Sequence, residues 1–115
     1  MFIELATTTA ARVRGLSNRT YIQKDTGFLM QFEAMGKPGI WMKDMLFPID
    51  IYWLDARFNL VDTKLSVSPA TYPNVFYPTG DAEYVLETHP GLLDPMSLTR
   101  KLTGVLTLVH SYDKR

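Results

Sequence analysis

Short alternating and apolar runs, separated by turn residues, recur along the chain and predict a series of strands. An alternating run favours a half-buried strand, and a continuous apolar run of about four to eight residues favours a buried one. The strands predicted in this way cover residues 2–6, 27–32, 40–43, 49–55, 60–67, 83–88 and 104–110. Long helical patterns, which would cover a parallel sheet, are missing from the sequence.

Turn and capping residues separate these strands. Three consecutive threonines offer N-cap candidates for a short helix over residues 10–16, and a turn or second short helix is predicted over residues 90–101. Residues 68–80 hold three prolines and three aromatic residues. That composition is too rich in proline for regular structure and too aromatic for an inert linker, so we predict an ordered loop or lid there.

The number and spacing of the predicted strands indicate the fold class. Six or seven short strands with mostly local connections predict a mainly β fold, namely a small antiparallel β-sandwich or barrel with one or two short helices. A length of 115 residues with 46% hydrophobic residues is enough for one core. We therefore predict a single domain over residues 1–115.

The charge and cysteine counts narrow the classes of partner and location. Lysine and arginine together number 12, as do aspartate and glutamate, so general binding of nucleic acid is not expected. The chain has no cysteine, which excludes disulfides and thiolate nucleophiles. We see neither a signal peptide nor an apolar run of the roughly 18–20 residues that span a bilayer, so we expect a soluble, cytoplasmic protein.

The segment from Gly39 to Asp50 sets charged residues among bulky apolar ones. Ionised groups in apolar surroundings are costly unless they are paired, so Lys43 and Asp50 are candidate partners in a sheltered pocket. Trp41 would provide a flat wall for stacking or for cation–π contact. The alternative is a structural ion pair beneath a tryptophan that fills core space.

Further candidate residues lie outside this segment. Asp50 and Glu87 stand on different predicted strands, and together they would suit general acid and base chemistry. Glu87 would equally satisfy a backbone turn or pair with Arg14. Arg14 itself is a candidate anion clamp or an ordinary exposed helical arginine, and Tyr77 in the proline-rich loop is a candidate for ligand contact.

Established reaction motifs are absent from the sequence. The two histidines, His89 and His110, have no metal-ligand spacing, so we predict no metal site and no cofactor. No serine stands in a nucleophile elbow, and no glycine-rich phosphate loop is present. Motif chemistry therefore does not assign a reaction.

The order of several short motifs resembles a known family. The motifs are Arg14-Gly15-Leu16, Gly27-Phe28-Leu29-Met30-Gln31-Phe32, Trp41-Met42-Lys43, Pro48-Ile49-Asp50-Ile51 and Tyr84-Val85-Leu86-Glu87. In this order they resemble the domain of unknown function 192 family, a group of small bacterial and archaeal proteins, over essentially the whole chain. The resemblance implies a small, mostly β fold, a sandwich or jelly-roll-like sheet with a short helix, and it implies no established reaction, substrate or cofactor.

The chain departs from the family pattern in its central motif. That pattern reads Trp-Met-Lys-Asn-Thr, whereas Asp44 and Met45 stand here, so a charge and a thioether replace an amide and a hydroxyl. We therefore expect a ligand preference that differs from that of relatives. Family members also often carry a secretory leader and cysteines in the proline-rich loop, and this sequence shows neither.

Three hypotheses for the function follow. The first is a binding or accessory domain that holds a small polar ligand, either a sugar or a peptide end, beneath the loop at residues 68–80. Its predicted ligand contacts are Trp41, Lys43, Asp50, Arg14 and Tyr77. The second is a small hydrolase or lyase in which Asp50 or Glu87 is the base and Lys43 stabilises negative charge. The third is a protein-interaction module that uses the aromatic loop.

Overall fold

A computed structural model of the chain describes residues 1–95, and these contain seven strands and one short α-helix. The strands are β1 (Phe2–Ala6), β2 (Thr26–Gly36), β3 (Ile40–Trp41), β4 (Ile49–Leu54), β5 (Leu60–Val67), β6 (Val75–Phe76) and β7 (Ala82–Thr88). The helix α1 (Thr9–Arg14) lies between β1 and β2, and a 3-10 turn covers Pro69–Thr71. The strand predicted at residues 104–110, with His110, and the second half of the segment predicted at 90–101 lie outside the described residues.

Strand β7 stands at the centre of the main sheet, whose order is β1-β2-β7-β4-β5. It pairs antiparallel with β2 on one side and with β4 on the other, and β5 is the hairpin partner of β4. The first strand lies parallel to β2, because α1 and the loop after it supply the crossover that a parallel pair requires. Strands β3 and β6 form a separate two-stranded ribbon.

The prediction of a mainly β fold with one or two short helices is confirmed, and residues 1–95 contain one α-helix. The strand predicted at residues 40–43 is shorter than expected, because a turn begins at Met42, whose carbonyl accepts a hydrogen bond from the Met45 N–H at 3.1 Å. The segment predicted as a loop at 68–80 contains the 3-10 turn and contributes the two residues of β6 to the ribbon.

Both faces of the main sheet are buried, so the residues of β4 alternate between two apolar clusters. Ile49, Ile51 and Trp53 belong to the larger cluster. Tyr52 and Leu54 belong to the smaller cluster on the other face. Because all six residues of this strand are buried, a continuous apolar run encodes it instead of an alternating pattern.

The helix α1 begins at a threonine cap. The Thr8 hydroxyl accepts a hydrogen bond from the Ala11 N–H at 3.1 Å, and Gly15 ends the helix with a φ of 49°. We expect Thr8→Ala to lower the free energy of unfolding by about 1 kcal/mol, because the first turn loses this acceptor. Urea denaturation checks this result. The matched control Thr7→Ala should unfold like the wild type, and equal destabilisation of both variants would contradict the capping role.

Candidate functional site

An open pocket of about 490 Å³ lies between α1, the strand β3 and one face of the main sheet. This volume is typical of sites that bind small molecules. Met30, Phe32, Met45 and Ile49 give the pocket a largely apolar lining. The sheet face beneath it is the one that carries the larger apolar cluster, to which Met30, Met45 and Ile49 belong.

Glu87 brings a carboxyl group to the apolar floor of this pocket. It lies on β7 between Phe28 of β2 and Ile51 of β4, its cross-strand neighbours, and only 5% of its surface is exposed. Burial raises the pKa of the Glu87 carboxyl to about 7, because the charged form loses hydration there. Residues 1–95 form no hydrogen bond or ion pair with this carboxyl group.

Arg12 holds the helical wall of the pocket against the sheet. Its guanidinium donates to the Thr7 carbonyl at 2.7 Å and to the Gln31 carbonyl at 2.8 Å. The same group lies 5.1 Å from the centroid of the Phe32 ring, a cation–π distance. Arg12 therefore fixes α1 over β2, and with a further bond to the Thr9 hydroxyl its guanidinium donates three hydrogen bonds within the described residues.

The strand β3, which forms the opposite wall, is anchored at its start. The Trp53 indole N–H donates to the Pro38 carbonyl at 2.9 Å and fixes the turn that leads into the strand. The next residue, Gly39, lies directly beneath Tyr77, since a Cβ at this position would be 2.7 Å from the tyrosine ring. Glycine thus permits the close approach of this backbone to the side chains of the ribbon.

At the rim of the pocket, hydrogen bonds join the segment after α1 to the turn after β3. The Ser17 hydroxyl donates to the Lys43 carbonyl at 3.0 Å, and the Asn18 N–H donates to the Asp44 carbonyl at 2.8 Å. Asp44 has a φ of 58°, a conformation that aspartate and asparagine adopt more readily than most other residues. The aspartate therefore suits the same backbone shape as the asparagine of the family pattern, whereas Met45 makes the pocket wall apolar.

Three of the predicted site residues converge on the pocket, namely Arg14, Trp41 and Glu87. Arg14 is exposed at the end of α1. Trp41 is 46% exposed, and its ring centroid lies 5.3 Å from that of Tyr72, edge to face. A cation, an indole and a carboxyl group therefore face the same cavity.

Two other predicted residues lie beside the pocket without lining it. The Lys43 ammonium is 5.6 Å from the centroid of the Trp41 ring, a cation–π distance. Tyr77 is largely exposed and covers Gly39 of the wall. These side chains support the rim of the pocket from outside.

Asp50 lies on the opposite face of the sheet from the pocket, and the structure does not bring it to Lys43. Its carboxylate accepts hydrogen bonds from the Ser66 N–H at 2.7 Å and the Gly91 N–H at 2.9 Å. The Tyr52 hydroxyl, 3.4 Å away, donates as well. Within the described chain Asp50 forms no ion pair with Lys43, and the buried carboxylate is satisfied by the fold itself.

The sheet also separates the two carboxylates predicted as a catalytic pair. Across the β4–β7 pairing, Asp50 is opposite Thr88, and Ile51 is opposite Glu87. Because neighbouring residues of a strand point to opposite faces, the Asp50 and Glu87 side chains lie on different sides of the sheet. The strand register therefore contradicts the predicted joint acid and base role of Asp50 and Glu87.

The apolar lining of the pocket is not identified by the sequence motifs. The strand pattern predicts Met30 and Phe32 only as core residues, and no pattern singles out Arg12 as the residue that fixes the wall. A usable signal is the strand period, since Phe28, Met30 and Phe32 share one face of β2. That face becomes the pocket face only once the pairing of Phe28 with Glu87 is known.

In residues 1–95, no group of three or more histidine, aspartate and glutamate side chains is arranged to hold a metal ion. None of the helices that the structure describes combines the length and apolar character needed to cross a bilayer.

Comparison with known proteins identifies the family. The DUF192 family model, described as Uncharacterized ACR, matches residues 1–101. A UPF0127 protein of Thermococcus gammatolerans is 33% identical over 91 residues, which are 79% of this chain and 57% of that protein. The chain thus spans little more than half the length of that relative.

Two solved structures have the same fold. A protein of unknown function from Novosphingobium aromaticivorans superposes with a TM-score of 0.73 at 24% identity, over 78% of this chain and 64% of that one. A protein from Sinorhizobium meliloti 1021, whose name proposes a role as a transcription regulator, has a TM-score of 0.73 at 25% identity, over 90% of this chain and 74% of that one. With the family model matching most of its length, the chain belongs to the domain of unknown function 192 family.

Proposed function

We propose that this chain binds a small polar ligand in the pocket above Glu87, with Arg14 and Trp41 as contacts at the rim. One observation carries the proposal: the Glu87 side chain is buried, has no partner in the described residues, and lines an open cavity. The described residues leave no fully buried side-chain oxygen without a hydrogen-bond partner, so the carboxyl oxygens reach the cavity. A carboxyl group that opens from apolar surroundings into a cleft is a candidate for contact with a molecule from solution.

The lining of the pocket supports a ligand with an apolar body and a polar end. Phe32 and Met45 offer apolar contact, and the exposed indole of Trp41 offers a flat face for stacking. The polar end would meet Glu87, which is the acidic group of the lining. A peptide end and a sugar both combine hydrogen-bond donors with apolar surface, as this arrangement requires.

We expect Trp41→Ala to weaken ligand binding by about tenfold or more, because buried contact with an aromatic ring is among the largest contributions to affinity. The fold should remain intact, since the ring lies at the rim. NMR titration of the 15N-labelled protein with a fragment set of sugars, amino acids and short peptides measures the dissociation constants. The matched control is Tyr21→Ala, an exposed aromatic residue away from the pocket, and it should bind like the wild type.

Two results would contradict this assignment. One is a fragment that binds Trp41→Ala and Glu87→Gln as tightly as it binds the wild type. The other is a complete set of fragments that leaves the amide resonances of the pocket residues unchanged.

Acid–base catalysis by Glu87 is a second candidate function, favoured by the pKa of about 7 of this carboxyl group. A general acid or base works best when its pKa lies near the operating pH. In this candidate Glu87 acts without Asp50, which lies across the sheet. Conversion of a bound fragment, seen as product resonances and lost in Glu87→Gln, would distinguish catalysis from binding.

Use of the aromatic loop as a protein-interaction module has less support. Tyr72 contacts Trp41, and Tyr77 covers Gly39, so both rings already support the pocket wall. Light scattering of the wild type and of Tyr77→Ala would test self-association through this loop.

A further inference from the structure

We propose that the ligand of this pocket is a small zwitterion, an amino acid or a short peptide, whose ammonium group meets Glu87 and whose carboxylate meets Arg14. The inference rests on the proposed function and assigns the chemical class of its ligand. It is drawn from the polarity of the cavity, which has an acidic floor and a basic rim.

The floor of the pocket favours a cationic donor. Ionised Glu87 can only accept hydrogen bonds, and residues 1–95 give it no donor. An ammonium group supplies up to three donors together with the opposite charge, and charge-assisted hydrogen bonds are about twice as strong as neutral ones. A sugar hydroxyl supplies one donor and leaves the buried charge uncompensated. The ammonium group is therefore the better match.

The rim of the pocket favours an anion. The charged side chains that line the cavity besides Glu87 are Arg12 and Arg14, both on α1, whereas the lining residues of β2, β3 and β4 carry no charge. Arg12 is engaged with backbone carbonyls, so Arg14 is the arginine that extends from the helix end. Lys43 adds a further positive charge beside Trp41. These positive charges at the entrance of the pocket favour a carboxylate there.

The two charged groups stand on different elements around one cavity. Glu87 is buried on the central strand β7, whereas Arg14 is exposed at the end of α1. Both line the pocket, and the ion pairs of residues 1–95 do not join them. A pocket of about 490 Å³ also has room for an apolar side chain between the two ends, against Phe32 and Met45.

NMR titration with leucine and leucyl-leucine, and with the N-acetyl and C-amide forms of each, tests the inference directly. We expect at least one of the free molecules to bind about tenfold more tightly than either of its blocked forms. Glu87→Gln should weaken binding of the free molecule about tenfold. It should leave the affinity for the N-acetyl form unchanged, because that form has no ammonium group. Arg14→Gln should likewise leave the affinity for the C-amide form unchanged. The exposed control Lys24→Gln should bind the free and blocked forms as the wild type does.

The pH dependence of binding gives a readout that a purely structural role of Glu87 would not produce. Because the carboxyl group must be ionised to pair with ammonium, and its pKa in the empty pocket is about 7, affinity for the free molecule should fall roughly tenfold between pH 7.5 and pH 5, to the affinity of Glu87→Gln. In Glu87→Gln this dependence should disappear. Persistence of the same fall in the variant would overturn the inference.

The outcomes separate this inference from the proposed function. Equal affinities for free and blocked molecules, or no binding of any of them, overturn the zwitterion. If a neutral probe such as glucose still shifts the pocket resonances, the proposed function stands and the zwitterion inference alone fails. If no probe of any class shifts them, both proposals fail.

Discussion

Asp50→Ala is expected to lower the free energy of unfolding by about 3–5 kcal/mol, which would remove a large part of the stability of a small domain. Asp50 is 2% exposed, and its carboxylate is the acceptor for the Ser66 and Gly91 N–H groups. Truncation leaves these backbone donors, together with the Tyr52 hydroxyl, without that acceptor. The carboxylate joins β4 to β5 and to the segment after β7, so its loss weakens the attachment of both to the central strand β4.

Urea denaturation followed by circular dichroism measures this effect. Asp50→Asn keeps the shape and one acceptor oxygen, so it should lose less, about 1–3 kcal/mol. The exposed control Asp81→Ala should lose little. Because Asp50 lies across the sheet from the pocket, the asparagine variant should also keep the ligand affinity of the wild type. A loss below about 1 kcal/mol in Asp50→Ala would contradict the structural role assigned to this carboxylate.

The pH dependence of stability set by Glu87 is the second large effect. Burial raises the pKa of this carboxyl from 4.5 to about 7, so the folded state holds the proton more tightly than the unfolded state. The resulting stability is fully present below pH 4.5 and is lost as the pH rises to about 7. At about 1.4 kcal/mol for each pKa unit, the loss is about 3 kcal/mol.

Comparison with Glu87→Gln isolates this contribution, because glutamine does not ionise. The free energy of unfolding of the variant, relative to that of the wild type, should rise by about 3 kcal/mol between pH 4 and pH 8. The control Glu33→Gln, at an exposed side chain, should follow the wild type at every pH. A constant difference between Glu87→Gln and the wild type would show that the buried carboxyl is ionised to the same extent in both states.

The central strands can be predicted from the sequence because their burial leaves a local signature. Apolar runs at residues 27–32 and 49–55 correspond to parts of β2 and to β4, and strands covered on both faces need apolar side chains at nearly every position. The pairing of these strands through β7 leaves no such signature, since it joins segments far apart in the chain. The parallel partner of β1 is unpredictable for the same reason.

The candidate site was predictable only as far as its residue types. Glu87 directly follows an apolar run, and a carboxylate at such a position is unusual. This pattern identifies the residue without knowledge of the fold. The proposed pairs of Asp50 with Lys43 and with Glu87 fail because strand register decides which face each side chain takes. Trp41 and Lys43 do meet, because the turn that begins at Met42 brings Lys43 back beside the end of β3.

The central place of β7 has a consequence for how the protein is made. It is the last strand within residues 1–95, yet it lies between β2 and β4. During synthesis, β2 and β4 therefore leave the ribosome before β7, the strand with which both pair. Pairings between distant segments form late and slowly in folding. Glu87 arrives on this inserted strand, so a nascent chain has no carboxyl group in the pocket until the sheet closes.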